Sequence, residues 1–234
     1  MCHAEPDRRH NTQSSMKQRG DITSKKILVV LTSVGKYPNL NRATGCQVDY
    51  VSSRGGYTPI DPHSLAMADP VDWEWYQKKE FMNRLGATLK PSEVNPNEYV
   101  AIYYVGGHGV IWGFPENKAL QTISRKIYEN GGYVSSVCHG AAGLLNIKLS
   151  NGSLLVKGKT VTGFSNEEEK LAELDMFVPF LTETELVSRG AVYKKTEKPW
   201  VSFAVEDTRL VTGQNPASGA AVADLLIAAL SKHG

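Results

Sequence analysis

A cysteine followed directly by a histidine lies where a short β-prone segment gives way to small residues. Residues 133–137 form that segment, and Cys138, His139 and Gly140 follow it. We predict a strand, a sharp turn at Cys138 and a helix, which would place the thiol at the carboxyl edge of a sheet, where ligands bind. Amides at a helix N-terminus favour a thiolate, so we expect Cys138 to have a depressed pKa and to be the most readily oxidised thiol. Position alone leaves a second interpretation open, in which the cysteine is a small buried hydrophobe.

Two other apolar runs predict strands that would lie beside this turn. Residues 27–32 and 99–105 are continuously apolar, as in strands that are buried on both faces. The second run ends in the sequence Gly-Gly-His-Gly at 106–109, and glycines at a sheet edge let backbone amides approach a ligand closely. A plain tight turn would explain the same glycines. For His108, and for His63 in a separate turn, a structural role is the preferred interpretation.

The rest of the chain alternates between strand and helix patterns. Residues 115–130 have the apolar spacing of a helix that ends at a glycine pair, and 209–212 predict a last strand before an apolar helix. Residues 154–156 and 160–162 predict a hairpin. This alternation predicts an α/β fold with a largely parallel sheet.

Three consecutive carboxylates occur at a predicted helix start. Ser165 and Glu168 have capping-box spacing, which places Glu167, Glu168 and Glu169 in the first turn, where the helix dipole favours negative charge. Solvated charge at a helix start explains most of this triplet. One of the three could nevertheless face a neighbouring site.

The composition is that of a globular protein and excludes several classes of partner. The chain has 234 residues, of which 41% are hydrophobic, enough for one sizeable core. A net charge of +2 without a basic stripe excludes a nucleic-acid partner, and the lack of a long apolar run near residue 1 argues against a signal peptide or membrane span. Three cysteines without CxxC or HExxH spacing indicate a reducing, cytoplasmic compartment and no metal site.

The chain is expected to contain a tail and one domain. Residues 1–25 are polar and of mixed charge, which predicts a disordered tail, and 26–234 form the domain. A small helical insert is predicted at about 58–92, where Asp69 and Pro70 have the types expected of an N-cap and a first helical residue. Its aromatic residues could line a pocket, but packing of the insert on the body is the preferred explanation.

Four motifs together resemble those of the DJ-1/PfpI superfamily. They are Gly-Gly-His-Gly at 106–109, Val-Cys-His-Gly at 137–140, Thr-Gly-Phe-Ser at 162–165, and Val-Thr-Gly-Gln-Asn-Pro-Ala-Ser at 211–218. The similarity extends from about Lys26 to Leu230 and is greatest to the Hsp31-like branch. The resemblance implies a flavodoxin-like, three-layer α/β sandwich that is often dimeric. It also implies a glutathione-independent glyoxalase activity, which converts methylglyoxal to lactate without a cofactor.

Site residues can be carried over from this family motif by motif. Cys138 resembles the nucleophile and His139 its neighbouring histidine. Glu169, six positions after Gly163, corresponds to the acid that orients the histidine. The backbone amides of Gly107 and His139 would hold the developing oxyanion. The partners implied are a small aldehyde such as methylglyoxal, a second copy of the chain, and unfolded-protein clients.

The sequence departs from the family pattern after the first strand. There the family has a helix with a glutamate that hydrogen-bonds the cysteine and shuttles protons, whereas here Gly45 leads directly into Cys46 and the second strand. No Asp or Glu occurs between Asp21 and Asp49, so we expect a missing helix, an uncovered face on the first strand and reduced activity. General acid–base help is worth about 10²–10⁴ in rate. Alternatives from other classes are a stress chaperone without turnover and a Cys-His hydrolase, peptidase or deglycase.

Overall fold

The computed structural model describes residues 24–31, 46–60, 62–66 and 68–232. Its strands are β1 (Lys26–Leu31), β2 (Gln47–Ser52), β3 (Ala101–Tyr104), β4 (Tyr133–Val137), β5 (Thr160–Val161), β6 (Val192–Tyr193), β7 (Ala204–Asp207) and β8 (Leu210–Gly213). Its α-helices are α1 (Pro62–Ala66), α2 (Pro70–Tyr76), α3 (Lys79–Gly86), α4 (Lys118–Glu129), α5 (Asn166–Leu171), α6 (Thr182–Ser188) and α7 (Gly219–Lys232). None of the helices in these ranges combines the length and apolarity needed to cross a bilayer.

Six strands form one sheet in the order β2-β1-β3-β4-β8-β7. All neighbouring pairs are parallel except β7 and β8, which pair antiparallel at one edge. The predicted α/β fold with a largely parallel sheet is confirmed. In the register of β3 and β4, Tyr104 lies beside Ser136, so the glycines after β3 and the cysteine after β4 emerge at the same edge of the sheet.

Side chains of the central strands alternate between two cores, because successive residues of a strand point to opposite faces. On β1, Leu28 and Val30 belong to the core that contains α4, whereas Ile27, Val29 and Leu31 belong to the core that contains α3 and α7. Helices therefore cover both faces of the sheet. All five side chains are at most 2% exposed, so the expectation of an uncovered face on this strand is wrong. The apolar residues of α3 and α7 supply the cover.

The segment predicted as an insert contains α1, α2 and α3. α2 begins as its sequence indicates, because Asp69 Oδ1 accepts hydrogen bonds of 2.9 Å from the amides of Val71 and Asp72. Phe81 and Leu85 of α3 are buried against the sheet. The predicted tail, apart from residues 24 and 25, and the predicted missing helix lie outside the described residues, as does the side chain of His63.

The hairpin predicted from residues 154–156 and 160–162 is wrong. β5 pairs in parallel with β6, and Leu154 instead forms an isolated antiparallel bridge with an earlier residue. The amide of Thr160 donates a hydrogen bond of 2.7 Å to Asp207 Oδ2. This bond connects the start of β5 to β7 instead of to residues 154–156.

Candidate active site

The turn at Cys138 holds the thiol in an unusual backbone conformation. Cys138 has a φ of 58°, in the left-handed region that is costly for a residue with a Cβ. The helix predicted after the turn is the 3₁₀ helix Cys138–Leu144, which begins at this residue, and every residue of this segment is buried. Gly106 packs beside the turn, and a Cβ at that position would lie 2.8 Å from the Cβ of Cys138. Glycine is therefore required there for the two loops to meet.

The thiol, an imidazole and a carboxylate form a continuous hydrogen-bonded series. Cys138 Sγ lies 3.4 Å from His139 Nδ1, and His139 Nε2 lies 2.7 Å from Glu169 Oε2. An ionised carboxylate can only accept hydrogen bonds, so Nε2 carries the proton and donates a hydrogen bond to Glu169. Nδ1 is then the acceptor that faces the thiol. His139 thus connects the other two residues that the family resemblance selected, Cys138 and Glu169.

A second histidine completes the site. The other oxygen of the carboxylate, Glu169 Oε1, accepts a hydrogen bond of 2.7 Å from His108 Nε2. The two imidazole rings lie 4.0 Å apart between centroids. Sequence reasoning preferred a structural role for His108 and missed this contact. Its position directly after the glycines of β3, at the same sheet edge as Cys138, was the signal that could have indicated it.

The three consecutive carboxylates at the start of α5 differ in their surroundings. Glu167 is exposed, whereas Glu168 and Glu169 are buried. Glu168 Oε1 accepts hydrogen bonds from the Trp200 amide, Gln214 Nε2 and Asn215 Nδ2 at 2.9, 3.1 and 2.8 Å. Only Glu169 among the three contacts the histidines, while Glu168 connects α5 to the segments around it.

Burial controls the protonation of the site. It raises the pKa of the Cys138 thiol to about 12, although the amides of His139 and Gly107 donate to the sulfur and lower it. The expectation of a depressed pKa is therefore wrong, because desolvation outweighs two amide hydrogen bonds. Burial also lowers the pKa of His139. The same burial raises the pKa of Glu169, but hydrogen bonds from His108 and His139 outweigh it and bring the pKa to about 2. The resting site contains a thiol, a neutral imidazole and a carboxylate.

Aromatic rings border the histidines. Phe164 lies 4.1 Å from His139 between ring centroids, and Trp200 lies 5.6 Å from Phe164. Phe164 is buried and Trp200 is exposed. Phe164 therefore helps to exclude water from the imidazole of His139, which is 1% exposed.

His108, His139 and Glu169 also form a group that could hold a metal ion. Their ligand atoms all lie within 4.8 Å of one another. Each imidazole Nε2 is already hydrogen-bonded to one oxygen of the carboxylate, and a metal would have to displace both bonds. The geometry thus favours a hydrogen-bonded group of side chains over a metal site.

The chain is similar in sequence to a known protein family and to several of its members. Residues 34–229 match the DJ-1/PfpI family. The chain is 37% identical over 204 residues to "Glutathione-independent glyoxalase HSP31" of Saccharomyces cerevisiae, which covers 82% of this chain and 84% of that protein. It is 39% identical over 197 residues to "Glyoxalase 3" of Candida albicans, with coverage of 80% and 83%.

Solved structures have the same fold. The crystal structure of glyoxalase III from Candida albicans superposes with a TM-score of 0.79 at 31% identity, over 88% of this chain and 98% of that one. The Rapid Encystment Protein 24 KDa of Francisella tularensis superposes with a TM-score of 0.82 at 34% identity, over 88% and 99% of the two chains. Both comparisons span nearly the whole of the known structures.

Proposed function

Because this chain belongs to the DJ-1/PfpI family, we propose that it is a glutathione-independent glyoxalase that converts methylglyoxal to lactate through Cys138. The observation that carries the proposal is the buried series Cys138, His139 and Glu169, with two backbone amides directed at the sulfur. The relatives named as glyoxalases support the choice of substrate.

The first chemical step is addition of the thiol to the aldehyde. The sulfur attacks the aldehyde carbon while His139 Nδ1 takes the thiol proton, so that a C–S bond forms and the carbonyl electrons move to oxygen. The amides of Gly107 and His139 hold the developing oxyanion, and Glu169 stabilises the imidazolium. The imidazolium then protonates the oxyanion to give a hemithioacetal. Since the proton leaves as the bond forms, a thiol of raised pKa is compatible with this step.

The following steps move two protons and add water. His139 takes the proton from the carbon that bears sulfur, which gives an enediolate, and returns it to the neighbouring carbon. The hydroxyl proton on the sulfur-bearing carbon passes to the oxygen of the neighbouring carbon, which gives a thioester. Water hydrolyses the thioester, which releases lactate and restores the thiol. One carbon is oxidised and its neighbour is reduced, so the reaction requires no external oxidant or cofactor.

The proposed activity is expected to be lower than that of relatives that retain the proton-shuttling glutamate. The sequence has no acidic residue between Asp21 and Asp49 to take its place. His139 is then left to carry out proton transfers that two groups would otherwise share. The cost falls within the factor of about 10²–10⁴ that a general acid or base contributes.

Lactate formation from methylglyoxal without added glutathione tests the proposal. The wild-type chain should produce lactate, and Cys138→Ala should produce none, whereas Cys46→Ala, which removes the other described cysteine, should retain the activity. Lactate production by Cys138→Ala equal to that of the wild type would overturn the proposal. So would a folded wild-type chain that produces no lactate.

A chaperone function without turnover is the second candidate, and one observation favours it. Three apolar side chains in and after α5 are strongly exposed: Leu171 at 55%, Met176 at 86% and Phe177 at 75%. Exposed apolar surface is the feature expected of a site for unfolded clients. Protection of an aggregating client that persists in Cys138→Ala and is lost in Met176→Ser/Phe177→Ser would support it.

We also propose, from the family resemblance, that the chain forms a homodimer and is located in the cytoplasm. Light scattering of the purified chain and fractionation of the source cells would test them.

A further inference from the structure

His108 contacts the carboxylate oxygen of Glu169 that is not hydrogen-bonded to His139. Its Nε2 lies 2.7 Å from Oε1, a separation equal to that between His139 Nε2 and Oε2. The side chain of His108 is 32% exposed, whereas those of Glu169 and His139 are 2% and 1% exposed. The carboxylate is thus held between one buried imidazole and one that reaches the surface.

We propose that His108 is a positioning residue that acts through Glu169. Its N–H fixes Oε1, which fixes Oε2 against His139 and so keeps His139 Nδ1 directed at the thiol of Cys138. The kinetic part of this inference rests on the proposed function. The chemical part, the reactivity of Cys138 towards an alkylating agent, does not.

A carboxylate with one anchored oxygen can turn about its side-chain torsions, because terminal carboxylate torsions are broad and weakly restrained. A second hydrogen bond removes that freedom. Hydrogen bonds to a charged group are also stronger than those between neutral groups, and both bonds here lie in a largely buried site. The contact with His108 accordingly keeps Glu169 ionised as well as oriented, in agreement with its share in lowering the pKa of Glu169.

His108 is itself held in place. Gly107, with a φ of 105°, directs the chain into the 3₁₀ helix His108–Trp112. The ring of His108 packs against those of His139 and Phe164, at centroid distances of 4.0 and 5.9 Å. A side chain fixed by its backbone and by two rings can position another residue, whereas a freely rotating surface histidine could not.

Two substitutions separate a positioning role from simple packing. His108→Phe keeps a ring of similar size and removes the donor. His108→Gln restores an N–H donor at nearly the same distance from the backbone but cannot take up a proton. The alkylation rate of Cys138 by iodoacetamide, measured by peptide mapping from neutral to mildly alkaline pH, reports on the Cys138–His139 pair whether or not the protein is a glyoxalase.

We expect His108→Phe to slow alkylation of Cys138 by about 10- to 100-fold and to shift the pH dependence of that rate to higher pH. The reason is that Glu169 then stabilises the imidazolium form of His139 less well. His108→Gln should recover most of the rate. In the lactate assay, His108→Phe should lower kcat with little change in KM, since the contact affects the reacting groups and not the substrate.

An unchanged alkylation rate in a folded His108→Phe variant would overturn the inference. Equal losses in His108→Phe and His108→Gln would also overturn it, because the restored donor would then have no effect. If His108→Phe fails to fold, His108→Ala with and without added imidazole replaces it, and failure of imidazole to restore alkylation would count against the proposal. A wild-type chain without lactate production but with these alkylation effects would refute the glyoxalase function alone.

Discussion

Glu168 and Glu169 are adjacent in α5, yet their carboxylates have separate partners. Glu169 accepts hydrogen bonds from the two histidines of the site. Glu168 accepts them from Ser165, from the Trp200 amide before β7, and from the side chains of Gln214 and Asn215 after β8. Neighbouring positions on a helix differ in direction by about 100°, which allows one turn to serve both regions. The first turn of α5 thus supplies one carboxylate to the candidate active site and another that connects α5 to neighbouring segments.

Glu169→Gln should lower thiol-dependent activity far more than Glu167→Gln. The uncharged glutamine amide cannot stabilise an imidazolium at His139. Its oxygen can accept a hydrogen bond, but its NH₂ group cannot, so only one of its two polar atoms can accept from a histidine. We expect a loss of roughly 10- to 100-fold in kcat, as for the removal of a hydrogen bond to a charged group. Lactate assays on the two variants check this, and equal losses would mean that the carboxylates act only through the helix terminus.

Glu168→Gln should instead reduce stability. Glu168 is 0% exposed and its Oε1 alone has three donors, so the amide would place an N–H group opposite other donors. We expect a loss of roughly 1–3 kcal/mol in the free energy of unfolding. Urea unfolding of both variants measures it, with Glu167→Gln as the control. A Glu168→Gln variant as stable as this control would contradict the structural role.

Acid should remove the stabilising effect of Glu169. Its pKa is lowered from 4.5 to about 2 in the folded chain, so its contribution is fully present above the unfolded pKa and is lost as the pH falls through the folded pKa. The difference in Tm between the wild type and Glu169→Gln should therefore shrink as the pH falls from 4.5 towards 2. A difference that stays constant over this range would indicate that the carboxylate acts by packing alone.

Cys138 should not be the first thiol to react with mild oxidants. Its pKa of about 12 leaves little thiolate at neutral pH, and the thiolate is the form that peroxide attacks. Peptide mapping after brief peroxide treatment should show little modification at Cys138, and more as the pH rises. Rapid oxidation of Cys138 at neutral pH would mean that the thiol is ionised in the resting protein.

Chelation should leave the lactate activity unchanged. His108, His139 and Glu169 already satisfy one another, and the proposed steps use their protons and charges rather than a metal. Activity measured after dialysis against EDTA checks this. Loss of activity that added Zn²⁺ restores would show that the three side chains hold an ion.

Restoring a family-like helix with its glutamate between Gly45 and Gln47 should raise turnover. The returned carboxylate would share the proton transfers with His139, a gain of up to about 10²–10⁴. A matched insert with glutamine in place of the glutamate should give no gain. If both inserts and the original chain produce lactate at the same rate, another group handles the proton.

Parts of this molecule follow from the sequence because they depend on local pattern. β1 from residue 27 onwards and β3 are buried on both faces, as their apolar sequences indicate, and the capping box formed by Ser165 and Glu168 is present as its spacing indicates. The partners of β5 could not be predicted, since β5 and β6 are separated by a long stretch of chain. The contact between His108 and Glu169 joins residues 61 positions apart, which no local sequence pattern specifies.

The raised pKa of Cys138 was beyond sequence reasoning for a different reason. A motif specifies which amides lie beside the sulfur but not how much water the folded chain excludes. Here Cys138 is 5% exposed, and desolvation raises the pKa of its thiol more than the two amide hydrogen bonds lower it.

The left-handed backbone at Cys138 implies a trade-off between durability and chemistry. A glycine at this position would adopt a φ of 58° without the cost of roughly 1–2 kcal/mol that a side chain incurs there. Selection for heat resistance alone, in a laboratory population relieved of any need for the thiol, should accordingly enrich glycine at position 138. Retention of cysteine under that regime would mean that the thiol contributes more packing than its strain costs.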